Sequence, residues 1–242
     1  MGSPDSDSEA EGIEKPQHEV ELDGFWLGRY PVTNEEYRKY KANHNSGDDF
    51  NAPRQPVIMV RWKDAKDYAE WLSKKTGYNF CLPTEAQWEY ACRAGTQTKR
   101  YWGDGSDCSR ANYDNGVRLD EGVVRVAGGT SKVGSYAPNE YGLYDMAGNV
   151  AEWTRNAYDE SAYRFTHDLN PDYQYYAHPD DPVALKRKVV RGGSWKDVAY
   201  YMQTGTRTFE YQDTAKSYIG FRNVRHYLGR HRADGGSHSQ VY

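Results

Sequence analysis

Cysteine and histidine are the residues of this chain that could hold a redox metal or act as nucleophiles. The chain has 3 cysteines, Cys81, Cys92 and Cys108, so at least one is unpaired and they cannot form a disulfide framework. The histidines of its second half show none of the close spacings that are typical of metal sites; they are His167, His178, His226, His231 and His238. The pattern predicts no iron or copper centre, and it leaves the cellular compartment open.

Asp197 is the carboxylate that stands out in the stretch "RGGSWKDVAYYMQTG", residues 191–205. An isolated aspartate after a strand is usually a structural or capping residue, because its side chain bonds to nearby backbone groups. If the chain has a metal site without a recognisable motif, Asp197 is its first candidate ligand or acid.

Two capping boxes predict where helices begin. Thr33 and Glu36 open one helix, and Thr84 and Gln87 open another. Between them, "KDAKDYAEWLSKKTG" places apolar residues on one face and ends at Gly77. In the helix after Thr84, Cys92 falls on the inner stripe and is predicted to be a small buried apolar residue.

Four apolar segments are predicted to contain strands. They are "HEVELDGFWLGRYPVT", "QPVIMVRW", "KVVRGGSW" and "YIGFRNVR".

The composition predicts an irregular, loop-rich α+β domain. The 242 residues include 22 Tyr and 7 Trp, so the core must use aromatic side chains whose polar atoms need buried partners. The 23 Gly and 10 Pro indicate turns rather than long helices. A net charge of −4 gives no electrostatic reason to expect a nucleic-acid partner.

We expect one domain over residues 18–228, with a surface insertion at about 155–185. Residues 1–17 are acidic and are expected to form a flexible lead-in, and residues 229–242 a disordered tail. No apolar run approaches the ~20 residues that span a bilayer. No signal peptide is recognisable, which suggests either a cytoplasmic protein or the mature part of an exported one.

Four segments in order carry a resemblance to a known family: "DGFWLGRYPVTNEEY", "LPTEAQWEYACRAGT", "NEYGLYDMAGNVAEWT" and "VVRGGSW…IGFRNVR". Together they resemble the formylglycine-generating enzyme family, also called the sulfatase-modifying-factor domain, over residues 18–226. The resemblance implies a variant C-type-lectin fold with little regular structure. It also implies that Arg222 satisfies buried carbonyls in the core.

The family's catalytic cysteine pair, which binds copper, corresponds here to Asp197 and Met202. Cuprous copper selects soft thiolate ligands, so an aspartate and a thioether are not expected to hold it. Formylglycine generation is therefore not expected. A second enzymatic branch, the iron-dependent sulfoxide synthases, uses histidines from an additional helical domain that this sequence does not contain.

The resemblance implies a structural calcium site in "DMAGNVAEW". Asp145 and Glu152 would supply carboxylates, and Gly148 and Val150 backbone carbonyls. Calcium suits this set because it takes 6–8 oxygen ligands in flexible geometry. A second family site would begin at Asn112 and Tyr113, although its downstream half is not evident. The alternative is a Gly-Asn turn followed by an ordinary glutamate.

The resemblance also implies a cleft, and its residues here are Trp195, Asp197, Tyr201, Met202 and Arg207. Rigid aromatic groups mixed with charges suit a binding face. The alternative is that they are core and rim residues of a site that has lost its chemistry.

Three functions follow from these expectations. The first is a non-catalytic, calcium-braced binding or assembly module with a protein partner. Its specific form is a scaffold component like the gliding-motility and type IX secretion lipoproteins of this fold, at the periplasmic face of the outer membrane. The second is a ligand-recognition domain like the variable proteins of diversity-generating retroelements. The third is an oxidative metalloenzyme with an unrecognised metal site.

Overall fold

The computed structural model describes residues 1–114 and 128–227 and a short strand at 240–241. The helices in this part of the chain are α1 (Asn34–Arg38), α2 (Trp62–Thr76), α3 (Glu85–Arg93) and α4 (Ala162–Phe165). The strands are β1 (Phe25–Leu27), β2 (Phe80–Cys81), β3 (Ala151–Ala157), β4 (Arg187–Arg191), β5 (Thr208–Tyr211), β6 (Ile219–Gly220), β7 (Val224–His226) and β8 (Gln240–Val241). Short elements joined by long irregular connections make this the α+β, loop-rich fold that the composition predicts. None of the described helices is long and apolar enough to cross a membrane.

The described strands form two sheets, with orders β2-β7-β1-β8 and β5-β4-β3-β6. In the second sheet β3 and β4 are antiparallel, and Glu152 lies opposite Arg191. Because the two strands are antiparallel, the start of β3 and the end of β4 lie at the same end of the sheet. This pairing places the loop before β3, residues 145–150, beside the Gly-Gly turn after β4.

The predicted capping boxes are confirmed. Thr33 Oγ1 accepts from Glu36 N, and Thr84 Oγ1 accepts from Gln87 N, while each N3 side chain bonds back to the cap. Helix α2 ends at Gly77, whose φ of 78° is the left-handed conformation that glycine adopts without a steric penalty.

The strand predicted in "QPVIMVRW" is wrong. Val57, Ile58 and Val60 are buried as expected, but the segment forms only a single bridge, between Thr33 and Pro56. Met59 interrupts it with a φ of 58°, a left-handed conformation that a regular strand cannot contain.

Aromatic residues with satisfied polar atoms hold the core together. Trp88 Nε1 donates to Glu152 Oε2 at 2.8 Å, and Trp153 Nε1 donates to the Val60 carbonyl at 3.1 Å. Trp62 Nε1 donates to the Thr154 carbonyl at 2.7 Å. Each indole buries a large apolar area while its N–H finds a partner, as the composition predicts.

Residues 1–17, predicted as a flexible lead-in, lie against the domain in this structure. Gly2 N–H donates to Glu89 Oε1 at 2.9 Å, and the Ile13 carbonyl accepts from Arg207 Nη1 at 3.0 Å. The Tyr200 hydroxyl donates to Glu14 Oε1 at 3.0 Å. Donors and acceptors of the domain thus find hydrogen-bond partners in this segment.

The first residues of the predicted insertion, Arg155 to Ala157, belong to strand β3 and are therefore part of the domain itself. Beyond Glu160 the chain is mostly exposed up to Leu185 and contains α4. Most of the predicted tail, 229–239 and residue 242, lies outside the described residues. Its remaining part, β8, pairs in parallel with β1.

Candidate functional site

Two glycines after β4 set the path of the chain through the site. Gly192 and Gly193 have φ values of 92° and 64°. A Cβ atom on Gly193 would lie 2.2 Å from Met202 Cε and 2.7 Å from the Tyr201 carbonyl oxygen. The turn can therefore pack this closely against the 3₁₀ turn Ala199–Met202 only because it has no side chain.

Asp197 caps its own turn. Its Oδ2 accepts from Ser194 Oγ at 2.6 Å, and its Oδ1 accepts from Lys196 Nζ at 2.9 Å. Its backbone carbonyl accepts from Asp114 N at 2.9 Å. Both carboxylate oxygens are hydrogen-bonded to side chains of the same turn, as expected for an aspartate with a structural role.

Met202 and Tyr201 lie on different sides of the 3₁₀ turn. Met202 is 1% exposed and belongs to the apolar cluster that contains Trp88 and Cys92. Tyr201 is 37% exposed. The Met202 thioether lies in the core, whereas the Asp197 side chain is 17% exposed and bonds within its own turn, so the two positions of the family's cysteine pair have different surroundings here.

Arg207 lies in a buried ion-pair cluster and not at an open cleft. It is 2% exposed, and its Nε donates to Glu85 Oε1 at 2.6 Å. Arg191 bonds the same Glu85 oxygen at 3.2 Å and Glu89 Oε2 at 2.6 Å. Although burial opposes the charge, the Arg191 and Arg93 guanidinium groups hold the pKa of Glu89 at about 2.

Trp195 instead belongs to a partly exposed aromatic surface. Its indole lies 5.7 Å from the Phe50 ring, and its Nε1 donates to the Ser217 carbonyl at 3.1 Å. Lys196 Nζ lies 4.0 Å from the centre of the neighbouring Tyr218 ring. We call Phe50, Trp195, Lys196 and Tyr218 the aromatic shelf. The positions of Phe50 and Tyr218 on this surface could not be predicted from the sequence, because both residues lie in segments distant from Trp195.

Asp145 is a buried carboxylate with one unsatisfied oxygen. It is 4% exposed, has a φ of 54°, and its Oδ2 accepts from Gly134 N at 2.8 Å. Its Oδ1 has no hydrogen-bond partner among the described residues. Burial is the main cause that raises the pKa of Asp145 to about 6, against the opposing effect of the Gly134 N–H.

The backbone around Gly148 brings Asn112 to the same loop. Gly148 has a φ of 75°, and a Cβ there would lie 2.5 Å from the Asn112 carbonyl oxygen. Asn149 N donates to that oxygen at 2.7 Å, and Trp195 N donates to the Asn149 carbonyl at 3.0 Å. Val150 is buried next to them, whereas Tyr113 packs in the apolar core. The predicted calcium loop and the aromatic shelf thus share hydrogen bonds.

Glu152 is held by an arginine. Its Oε1 accepts from Arg222 Nη2 at 2.7 Å, and its Oε2 accepts from Arg222 Nε at 2.8 Å. Arg222 also donates to the carbonyls of Gly28 at 3.0 Å and Tyr144 at 2.9 Å, as its predicted structural role requires. Both Glu152 oxygens are therefore engaged, so we leave Glu152 out of the candidate cation ligands.

Within residues 1–114 and 128–227, no three His, Cys, Asp or Glu side chains are grouped so that they could hold a metal ion. His231 and His238 lie outside the described residues.

Comparison with known proteins agrees with this architecture. A family model described as "Sulfatase-modifying factor enzyme 1-like domain" matches residues 1–227. The serine/threonine-protein kinase pkn1 of Chlamydia pneumoniae is 32% identical over 239 residues, which cover 88% of this chain and 35% of that protein. The chain thus spans about a third of the length of this relative.

Two solved structures have the same fold. PvdO from Pseudomonas aeruginosa superposes with a TM-score of 0.78 at 28% identity, over 94% of this chain and 90% of PvdO. Variable protein 1 of Treponema denticola superposes with a TM-score of 0.72 at 26% identity, over 93% of this chain and 91% of that protein. The chain therefore belongs to the sulfatase-modifying factor enzyme 1-like (FGE-sulfatase) family.

Proposed function

We propose that this chain is a non-catalytic binding module that is braced by calcium at Asp145 and presents the aromatic shelf to a protein partner. The observation that carries the proposal is the difference in surroundings between Asp197 and Met202. The first is bonded within its own turn, and the second lies in the core. The positions that hold copper in the enzymes of this family are thus used here for structure.

The aromatic shelf has the character of a recognition surface. Phe50, Trp195 and Tyr218 are half-buried, so their orientations are fixed while part of each ring faces solvent. Val198, at 53% exposed, and Tyr201, at 37% exposed, extend the apolar surface on the next turn. Aromatic anchors of this kind bury a large area at low cost in side-chain entropy.

Calcium fits the Asp145 loop because the loop contains a buried anionic acceptor that no donor in the described part of the chain satisfies. Asp145 Oδ1 would bind the ion directly, and the resemblance adds the carbonyls of Gly148 and Val150. Calcium prefers hard oxygen ligands of this type. The ion would fix the loop, which holds the backbone of Trp195 through Asn149.

The partner is tested by capture from the native host. We expect Trp195→Ala to lose a partner that the parent chain retains, because the anchor of the shelf is removed. Phe165→Ala is the matched control, since Phe165 is an aromatic residue that is 51% exposed elsewhere on the surface. Equal capture by the parent and by both variants would show that the shelf is not the contact surface.

The specific form of this proposal is a scaffold component of a bacterial secretion or gliding machine, at the periplasmic face of the outer membrane. It rests on the resemblance of residues 192–224 to the ends of such lipoproteins. If this specific form is correct, cross-linking in intact cells should identify neighbours from that machine. A partner from another assembly would contradict the scaffold role but would still agree with a binding module.

The similarity to variable protein 1 of Treponema denticola favours a second candidate, a ligand-recognition domain whose binding residues are diversified. This candidate predicts sequence variation among isolates between Trp195 and Gly220, together with a neighbouring reverse transcriptase gene and a template repeat. Genome sequences that lack both features would rule it out.

Elemental analysis separates both candidates from an oxidative enzyme. In protein that is purified without a chelator and then dialysed, we expect calcium in stoichiometric amount and no iron or copper. Iron or copper at comparable stoichiometry would instead support the third hypothesis, with Asp197 as the first ligand to test.

A further inference from the structure

Four side chains from separate segments meet at the edge of the first sheet, away from the aromatic shelf. Cys81 lies on β2, Arg155 on β3 and His226 on β7, while Asp172 lies in the long connection between β3 and β4. The proposed binding function uses none of them.

The strand register explains why Cys81 and His226 meet. Cys81 lies opposite Val224, and His226 follows two residues later on β7, so it lies on the same face as a diagonal neighbour. Cys81 Sγ lies 3.4 Å from His226 Nε2, which is within the reach of a hydrogen bond to sulfur. A nucleophile and a base are thus in direct contact.

Arg155 completes the arrangement. Its Nη1 donates to Cys81 Sγ at 3.6 Å, and its Nη2 lies 3.2 Å from Asp172 Oδ2. When the imidazole carries its proton on Nδ1, the thiol can donate to Nε2 while it accepts from Arg155. Loss of the thiol proton to Nε2 would leave a thiolate that is already bonded to a cation.

Burial of the pair favours its neutral form. Burial is the main cause that raises the pKa of Cys81, against Arg155, and burial also lowers the pKa of His226, with Arg155 acting in the same direction. Asp172 opposes the shift at His226, as does Asp23. At neutral pH the pair is therefore a thiol beside a neutral imidazole, which is the starting state for base-assisted attack.

Cys92 shows what a structural cysteine of this fold looks like. It is 1% exposed, and burial raises its pKa to about 12. Cys81 differs because it is only partly buried and has both a base and a guanidinium as neighbours.

We propose that Cys81 is a thiol–disulfide exchange site for low-molecular-weight disulfides, with His226 as the base and Arg155 as the group that stabilises the thiolate. Cys81 Sγ attacks one sulfur of the small disulfide, and its proton passes to His226 Nε2. A new S–S bond joins Cys81 to half of the reagent, the original S–S bond breaks, and the departing thiolate takes the proton from His226. Cys81 is oxidised to a mixed disulfide, and the reagent is reduced to one thiol.

The test uses the full chain with Cys108→Ser, because Cys108 is an exposed second thiol. Oxidised glutathione is the probe, and intact-mass spectrometry with peptide mapping measures the rate of glutathionylation at Cys81. We expect a rate that is nearly constant between about pH 7 and 8.5, because in this range the imidazole is neutral and Cys81 retains its proton. A simple thiol instead reacts about tenfold faster for each pH unit, as its thiolate fraction grows.

His226→Gln removes the base and is expected to slow the reaction at pH 7 by about 100-fold, the low end of the usual contribution of a general base. It should also restore the steep pH dependence. Far-UV circular dichroism checks that the variant folds, and if it does not fold, the pH profile of the His226-containing chain decides alone. A steep profile in that chain, an unchanged rate in His226→Gln, or no glutathionylation of folded Cys81 would each overturn the proposal.

Discussion

Asp145 and Glu152 flank one short loop, and both are buried, at 4% and 0% exposed. The charge of Glu152 is compensated by the protein itself, because the Arg222 guanidinium donates to both of its oxygens. Asp145 has a single N–H donor, and its other oxygen has no partner among the described residues. The same chemical group is therefore stabilised by the protein at one end of the loop and requires a proton or an added cation at the other.

The difference assigns separate tasks to the two ends. The Glu152–Arg222 pair ties β3 to the carbonyls of Gly28 and Tyr144, so it is part of the fold. Asp145 can change its protonation state with pH while that framework stays intact, and the same would hold for the proposed calcium binding.

Replacing Arg222 by Met should lower the free energy of unfolding by about 3–5 kcal/mol, because Glu152 would remain buried without its cation. Denaturant titration measures the change. The double variant Arg222→Met, Glu152→Gln should recover part of the loss, since it removes the uncompensated charge. A loss below ~1 kcal/mol in the single variant would mean that the pair contributes little to stability, which would contradict its assignment to the fold.

Without calcium, stability should fall as the pH rises from about 4 to 6, because of Asp145. Its pKa is raised from 3.8 to about 6, so the folded state binds more protons than the unfolded state in this window, which makes the slope of stability against pH negative. The full difference corresponds to about 3 kcal/mol at 1.36 kcal/mol per pH unit. The measurement is the difference between the parent and Asp145→Asn across this range, since other groups titrate equally in both. Parallel curves would contradict the prediction.

Calcium should stabilise the parent chain by about 2.7 kcal/mol at a concentration 100 times its dissociation constant. Asp145→Asn should lose this response, whereas Glu152→Gln should keep it despite a lower baseline stability. Thermal unfolding with and without calcium gives the comparison, and magnesium at equal concentration serves as the control. A calcium response that disappears in Glu152→Gln but not in Asp145→Asn would reverse the assignment of the two carboxylates.

The smallest effect is expected at the surface of α2. Lys63 and Asp67 form an ion pair at 2.7 Å, but Lys63 is 72% exposed. Lys63→Met should change the free energy of unfolding by no more than about 0.5 kcal/mol, because water screens the pair and the lysine must give up side-chain entropy. Denaturant titration beside Arg222→Met shows whether burial is what separates the two pairs.

Local features of the fold were predictable from the sequence, because their determinants lie within one turn of chain. The boxes at Thr33 and Thr84 and the stop at Gly77 are of this kind. The family and its fold were also predictable, since four ordered segments carry them. Met59 was not, because its left-handed φ interrupts a segment that is otherwise apolar throughout.

The site was less accessible to sequence reasoning, because partners far apart in the chain decide it. Glu152 resembles a calcium ligand in its motif, but Arg222, 70 residues away, holds it. Met202 and Arg207 follow "GGSW" closely, yet spacing alone does not tell which side of an irregular turn faces the core. The rings of Phe50 and Trp195 are neighbours although the two residues are far apart in the sequence, and no local sequence pattern predicts such a contact.

The Gly192-Gly193 turn also sets where this fold can accept variation. Side chains at either glycine would collide with Trp88, Met202 or the Tyr201 backbone, so the turn is a fixed anchor. Trp195 and Lys196 follow directly, where the chain reaches the surface. A display library built on this protein should therefore keep the two glycines and the buried Met202, and randomise the exposed positions Lys196, Val198 and Tyr201.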